Sequence, residues 1–375
     1  MTGQNLGSFP SVLIFNAFLL VIIGACTVRA DSPFVIASPS FESILGSTPK
    51  LTVVINQSHP LFHEGCIYHP PSDSLLVITE YLNDSSINDN QPGQYIVHVT
   101  DLSSSSPQYK VLDGIPLANP ISGTRYTYSG LDKIVLAVTG NKEDNPPGGL
   151  YFLDPYPPFN VTPLTTSYGD YPYDGPDDAT TLPDGTIYFT DVIYGFLHGR
   201  RSQPQLPNQV YRYDPTTNTT RAMADLFSRP NGITSSPDGR VIYIGDTGAN
   251  VGDGTLDWTA QRSIYAHTVL NTPSGVEETA GPFLTDRRVF ALPLVGAADG
   301  IKTDTNGNVW GLSTDGLHVW DPSGNFLGKI LLDDDQQGGN IGFGKPGDIW
   351  IAGGEVLFKL QVAESVVGTG VLSEA

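Results

Sequence analysis

Short runs of β-branched and aromatic residues, each preceded by a tight-turn sequence, recur six times along the chain. Asp-Gly and Asn-Gly between apolar runs are strong signals for hairpins, because both turn positions must accept a positive φ angle. Each run ends at a small or polar residue, as expected for a short buried strand. We therefore predict strands at residues 75–80, 134–140, 187–191, 241–246, 309–314 and 349–353.

The six turns are spaced 41 to 68 residues apart, and a second hairpin fits into each interval. A repeat of about this length built from short strands is typical of a β-propeller, in which each repeat forms one blade. We therefore predict an all-β, six-bladed β-propeller. A sandwich with irregular spacing is the alternative fold.

An oxygen-bearing side chain precedes most of these turns at a repeated distance. A seven-residue offset gives Asp177, Asn231, Asp299 and Asn340, and a looser nine-residue offset gives Glu64. The innermost strand of a propeller blade runs beside the central channel, and these positions lie near the start of that strand. We expect the side chains to gather at one mouth of the channel.

Carboxylates and amides gathered on one axis are ligands suited to calcium, which takes six to eight hard oxygen ligands including water. The predicted metal ligands are Glu64, Asp177, Asn231 and Asp299. Asn340 is predicted to line the channel. The sequence contains neither a Gly-x-Ser-x-Gly motif nor Cys/His spacing typical of zinc, which argues against a serine hydrolase and a zinc site.

The segments Phe62-His63-Glu64-Gly65, Pro230-Asn231-Gly232-Ile233 and Asp299-Gly300-Ile301-Lys302 resemble the SMP-30/gluconolactonase/LRE-like family. The resemblance extends over about residues 61–360 and is closest to the fungal secreted lactonohydrolases. Segments similar to that subgroup are residues 60–64, 151–155, 188–195, 208–213 and 315–320.

This resemblance implies a propeller that hydrolyses lactones with one divalent ion, usually calcium, on the channel axis. The family's ligand glutamate, asparagine and aspartate fall on Glu64, Asn231 and Asp299. A further family asparagine, part of an Asn-Asp pair, falls on Asp177, which is followed by Asp178. Ionised Glu64 and Asp299 balance a divalent ion, so an ionised Asp177 gives the occupied site a charge near −1 and tightens cation binding. Alternatively, nearby like charges keep Asp177 protonated.

The predicted activity is metal-assisted hydrolysis, in which the ion polarises the lactone carbonyl. Asp299 is the predicted general base as well as a ligand, and Asp177 is the second predicted catalytic residue. The predicted substrate contacts are Asp178, Tyr194, His198 and Asn340, with Asp178 also ordering the metal ligands. The alternatives are a related propeller hydrolase of organophosphate or other esters, and a non-catalytic ligand-binding propeller stiffened by calcium.

Three neighbouring residues receive structural predictions. His63 adjoins Glu64, and strand alternation predicts that it faces away from the channel and packs. Asp191 and Asp246 end strands and are predicted to make hairpin or blade contacts.

The chain carries 39 acidic and 19 basic residues, giving a formal net charge of −20. Such a surface disfavours nucleic acid and anionic membranes as partners. The predicted partner, a small-molecule lactone, is what the family resemblance implies. Oligomeric state is not predicted by any pattern in the sequence.

The apolar run at residues 12–26, followed by a small-residue cleavage site at Ala30, predicts a secretory signal peptide over residues 1–30. An uncleaved N-terminal anchor is the alternative. Cleavage of the signal peptide would remove Cys26 and leave Cys66 as a lone thiol, expected to be buried and structural. We expect a secreted or secretory-pathway protein without membrane association in its mature form. The predicted glycosylation sites are Asn56, Asn83, Asn160 and Asn218.

The predicted domain organisation has four parts. They are the signal peptide at 1–30, a lead-in segment at 31–60, the catalytic propeller at 61–362 and a C-terminal tail at 363–375.

Overall fold

The computed structural model describes residues 32–83, 92–252, 255–270, 282–332 and 338–371. Within these ranges, six antiparallel sheets are arranged around one axis, and the innermost strand of each sheet lies beside the innermost strands of its two neighbours. This arrangement confirms the predicted six-bladed β-propeller. The predicted signal peptide lies outside the described residues.

The chain first forms β1 (Phe34–Ile36), helix α1 (Pro39–Leu45) and β2 (Lys50–Asn56). It then builds the blades in order, each from its innermost strand outward. Blade 1 contains β3 (Glu64–His69), β4 (Ser74–Ile78), β5 (Ile96–Thr100) and β6 (Gln108–Val111). Blade 2 contains β7 (Pro120–Tyr126), β8 (Lys133–Val138), β9 (Gly149–Leu153) and β10 (Val161–Thr165). Short 3-10 helices span Pro70–Ser72 and Tyr128–Gly130.

A two-stranded sheet, β11 (Ser167–Tyr168) with β12 (Tyr171–Pro172), precedes the third blade. Blade 3 contains β13 (Pro176–Thr181), β14 (Ile187–Asp191), β15 (Gln209–Asp214) and β16 (Thr219–Ala224), with helix α2 (Tyr194–Leu197) after β14. Blade 4 contains β17 (Pro230–Ser235), β18 (Val241–Asp246), β19 (Ile264–Leu270) and β20 (Phe283–Ala291). Blade 5 contains β21 (Ile301–Thr303), β22 (Val309–Ser313), β23 (Gly316–Trp320) and β24 (Phe326–Leu331). Blade 6 contains β25 (Ile341–Phe343), β26 (Asp348–Gly353) and β27 (Val356–Gln361).

The N-terminal strands complete the last two blades. β1 pairs antiparallel with β24, and β2 pairs antiparallel with β27 as the outer strand of blade 6. The segment predicted as a lead-in therefore supplies strands of the propeller itself. The C-terminal residues also join the fold, since Thr369 N–H donates to the Thr303 carbonyl at 3.0 Å.

The core consists of apolar layers between neighbouring blades. Leu76 and Ile78 of β4 pack toward blade 2, whereas Leu75 and Val77 of the same strand pack toward blade 6. Because both faces of a blade are buried, its middle strands are apolar at consecutive positions rather than alternating with polar residues. This explains the continuous apolar runs in the sequence.

Three sequence predictions outside the site can be placed on the fold. Cys66 is a buried free thiol in β3, as expected. Each of the four predicted glycosylation asparagines is exposed. In the part of the chain that the structure describes, no helix is long and apolar enough to cross a membrane.

Candidate metal and substrate site

β-Bulges interrupt the inner strands near one mouth of the channel. Pairing with the second strand shifts register between Glu64 and Ile67 in β3, and corresponding shifts occur in β7, β13 and β17. A bulge adds an unpaired residue and re-aims the neighbouring side chains. Asp177 and Asn231 lie within two of these bulges.

The four predicted metal ligands line one cavity of about 460 Å³ at this mouth. Glu64, Asp177 and Asn231 are buried, and Asp299 is partly buried just before β21. They come from blades 1, 3, 4 and 5. The structure therefore brings together residues that are far apart in sequence, as the repeated offset predicts.

The cavity brings three carboxyl groups close together and away from water. Burial, together with the charges of Asp299 and Asp177, raises the pKa of Glu64 well above its ordinary value. Burial and the charges of Asp299 and Asp178 likewise raise the pKa of Asp177. Burial raises the pKa of Asp299 to about 7, although the charge of His63 opposes the shift. A cation among these groups would stabilise their ionised forms.

The donor set fits a hard divalent cation. Asp299 Oδ1 is buried and has no hydrogen-bond partner, so one ligand oxygen is left unsatisfied by the protein. Three carboxyls and the Asn231 amide are the oxygen ligands that calcium prefers. Over the described residues, however, no group of three or more His, Cys, Asp or Glu side chains has the spacing of an assembled metal site.

Asp178 and Asn340 do not line the cavity but are buried beside it, 1% and 2% exposed. Asp178 Oδ1 accepts from Ser122 Oγ at 2.8 Å, and Oδ2 accepts from Lys302 Nζ at 3.0 Å. Asn340 Nδ2 donates to Ser122 Oγ at 3.0 Å and to Glu64 Oε2 at 3.1 Å. This geometry gives both residues a positioning role instead of the predicted substrate contact.

Ser122 and Lys302 were not predicted as part of the site. Blade 2 lacks the offset pattern, so no sequence signal indicates Ser122. Lys302 is a charged residue in an otherwise uncharged inner strand, and that position is the signal that identifies it. Through these two residues, the hydrogen-bond network extends from blade 1 through blades 6, 2 and 3 to blade 5.

The prediction that His63 packs away from the channel is wrong. His63 lines the cavity, and its Nε2 lies 2.8 Å from Glu80 Oε2. Burial alone would lower the pKa of His63, but the hydrogen bond and charge of Glu80 outweigh it and raise the pKa. His63 precedes the first residue of β3, where strand alternation does not yet apply.

The segment beginning with α2 forms one wall of the cavity. Tyr194 and His198 line it as predicted, with their rings stacked at 5.8 Å between centroids. Arg200 also lines it and was not predicted. Its Nη1 donates to Gln94 Oε1 at 2.8 Å, and its guanidinium lies 4.4 Å from the Tyr81 ring centroid. Blades 1 and 3 are thereby connected across the cavity.

Asp191 and Asp246 make the predicted contacts within their blades. Asp191 Oδ1 accepts from the Gly175 N–H at 2.7 Å, and Asp246 Oδ1 accepts from the Arg229 N–H at 2.8 Å. Each carboxylate holds the loop that enters the inner strand of its own blade. They support the site without lining the cavity.

Comparisons with known proteins were made for both sequence and structure. The sequence model of the SMP-30/Gluconolactonase/LRE-like region matches residues 132–349. Lactonohydrolase oryL of Aspergillus oryzae is 27% identical over 309 residues, which cover 77% of this chain and 65% of that relative. The chain thus spans slightly less than two thirds of this relative's length.

Solved structures share the fold. A gluconolactonase from Xanthomonas campestris superposes with a TM-score of 0.66 at 22% identity, covering 88% of this chain and 95% of the other. The calcium-binding protein regucalcin from Agrobacterium tumefaciens superposes with a TM-score of 0.55 at 16% identity, covering 85% and 95%. At these identities, the similarity establishes a common propeller architecture.

Proposed function

Because the chain belongs to the SMP-30/gluconolactonase/LRE-like family, we propose that it is a lactonohydrolase that opens a small lactone ring by attack of water. The observation that carries this proposal is the cavity in which Glu64, Asp177 and Asp299 face the Asn231 amide. The names of the Aspergillus and Xanthomonas relatives support the same reaction class.

Glu64, Asp177, Asn231 and Asp299 would hold one divalent cation, with calcium as the first candidate. When bound, the cation supplies Lewis-acid polarisation of the lactone carbonyl and stabilises negative charge on its oxygen. The unsatisfied Asp299 Oδ1 and the calcium-binding relative support this assignment.

Asp299 is the proposed general base. Asp299 lines the cavity, and a bound cation would keep its carboxylate ionised, in the form that can accept a proton from water and return it later. The Asn231 amide lines the same cavity and favours the ionised form of Asp299 by lowering its pKa. Tyr194, His198 and Arg200 provide the wall against which a lactone ring would be positioned.

Asp177 stands where the family has an amide. Its raised pKa, caused by burial and by the charges of Asp299 and Asp178, supports the alternative in which it is protonated in the absence of a cation. A neutral Asp177 matches the family asparagine in charge. Cation binding would favour its ionised form and add a third carboxylate ligand.

A panel of aldono- and aromatic lactones, assayed with calcium and then with a chelator, tests the proposal. Ring opening that chelation removes and calcium restores is the expected result. Calcium binding without turnover of any ester would instead identify a ligand-binding propeller. Turnover of phosphotriesters or open-chain esters, without any lactone, would indicate the related hydrolase.

We also propose that the mature protein is secreted and glycosylated. The exposure of the four sequon asparagines supports this. N-terminal sequencing of protein from a eukaryotic host should begin near Asp31, and glycosidase treatment should reduce its apparent mass. An intact N-terminus would contradict cleavage.

A further inference from the structure

A second cavity, of about 320 Å³, lies among the later residues of the same inner strands. We call it the distal cavity and the one at the bulges the proximal cavity. Its wall includes Tyr68 of β3, Thr124 of β7, Thr181 of β13 and Thr234 of β17. Residues 369–371 of the C-terminal segment also line it.

The charged side chains that line the distal cavity are basic, although the chain as a whole is acidic. The described residues that line it include two charged side chains, Arg125 and Lys302, and no carboxylate. The chain as a whole carries a formal net charge of −20. Each basic side chain pairs with a carboxylate behind the wall, Arg125 with Asp132 and Lys302 with Asp178, so the basic groups face the cavity and their acidic partners do not line it.

Arg125 has hydrogen-bonding capacity that the protein leaves unused. Its side chain is 7% exposed, and Nε and Nη2 donate to Asp132 at 3.0 and 3.1 Å. Nη1 is buried and has no hydrogen-bond partner. A buried donor without an acceptor is unfavourable, and an anionic oxygen is the strongest acceptor for a guanidinium.

The remaining polar wall is rich in hydroxyl groups, including those of Tyr68, Thr124, Thr180, Thr181 and Ser235. Hydroxyls donate to or accept from a ligand hydroxyl equally well. The cavity volume lies at the lower end of the range for small-molecule sites. The wall thus combines two basic side chains with several hydroxyl groups suited to a hydroxylated ligand.

We propose that the distal cavity binds a small carboxylate that carries hydroxyl groups, with the carboxylate directed toward Arg125 and Lys302. Lys302 Nζ already donates to Asp178 on one side, and an ammonium has further N–H groups. This proposal does not depend on the proposed lactonase activity. It names a ligand class for a site separate from the proximal cavity.

Isothermal titration calorimetry of the full mature chain tests the proposal, with sodium gluconate as the probe. The informative variants are Thr124→Asp and Thr124→Asn, which are matched in size and differ in charge. Both leave the Arg125–Asp132 pair in place. A carboxylate at position 124 adds a negative charge to the cavity wall and repels an anionic ligand, so we expect Thr124→Asp to bind gluconate at least about tenfold more weakly than Thr124→Asn.

Three further probes define the ligand chemistry. Sorbitol has the hydroxyls without the charge, acetate has the charge without the hydroxyls, and inorganic phosphate is a different oxyanion. Weaker binding of all three than of gluconate is expected. Phosphate binding more tightly than gluconate, or sorbitol binding equally well, would overturn the proposed ligand class.

Binding in the proximal cavity can be separated from binding in the distal cavity. Gluconate bound at the proximal cavity would be insensitive to the substitution at position 124, so equal affinities in the two variants would overturn the proposal. Circular dichroism establishes that both variants fold. If Thr124→Asp does not, the Thr181→Asp and Thr181→Asn pair provides the same comparison.

Discussion

The proximal and distal cavities are built from the same six inner strands, yet their chemistry is opposite. Asp299, just before β21, lines the proximal cavity, whereas Lys302, within β21, lines the distal cavity. In β17, Asn231 lines the proximal cavity and Thr234 lines the distal cavity. Three residues of extended chain span roughly 10 Å. A few positions along one strand are therefore enough to separate a cavity lined by carboxyl groups from one whose charged lining side chains are basic.

The Asp178–Lys302 pair joins the two environments. Asp178 is 1% exposed and belongs to the network that holds Glu64, whereas Lys302 lines the distal cavity. Its Nζ lies 3.0 Å from Asp178 Oδ2. The pair thus lies between the carboxyl groups of the proximal cavity and the basic side chains of the distal cavity, and four substitutions or conditions test this division.

The largest effect is expected at the proximal end. Asp299→Asn keeps the size of the side chain but removes the proposed base and a charged ligand. We expect lactone turnover to fall by about 10² or more while gluconate binding at the distal cavity is retained. Steady-state kinetics and calorimetry measure the two effects. Exposed Asp113→Asn is the matched control, and full activity of Asp299→Asn would remove that residue from the mechanism.

The second effect concerns the Asp178–Lys302 pair, which lies between the proximal and distal cavities. Lys302→Met leaves the buried Asp178 carboxylate without its cationic partner and should destabilise the fold by about 3 kcal/mol. That is the lower end of the usual range, because Lys302 keeps 18% side-chain exposure. Urea unfolding measures the change, and adding Asp178→Asn should restore part of it. Unchanged stability of the single variant would show that the pair is dispensable.

The third effect is a change in calcium affinity in a variant that keeps its fold. Asp177→Asn restores the family amide and removes a negative ligand, so we expect calcium to bind about tenfold more weakly. Calorimetry with calcium alone, in the absence of substrate, measures this directly. Affinity equal to that of the unmodified protein would indicate that Asp177 does not ligate the ion.

The fourth effect is on the pH dependence of stability without metal. The pKa of Asp299 is about 7 in the folded protein against an ordinary value of 3.8, so the folded state binds more protons between these values. Stability of the calcium-free protein should therefore decrease as pH rises from about 4 to 7. Saturating calcium should reduce this slope. A melting temperature that rises over this range in chelator would contradict the expectation.

Repetition in the sequence predicts the parts of the molecule that themselves repeat. The turn signals predict six blades, and the common offset predicts that Asp177, Asn231 and Asp299 meet, because equivalent positions of a closed ring face one axis. Ser122 lies outside the offset pattern and was missed. The rule of strand alternation failed for His63 because that residue precedes its strand.

The sequence by itself determined the propeller class and the candidate ligands, since both follow from local turn chemistry repeated at intervals. Tertiary structure alone decided the partners of Asp178 and Asn340, the pairing of β1 with blade 5 and of β2 with blade 6, and the existence of the distal cavity. These features depend on which residues of different blades lie opposite one another. That relation arises only when the ring closes, because Ser122 and Asn340 are 218 positions apart in the chain and 3.0 Å apart in the fold.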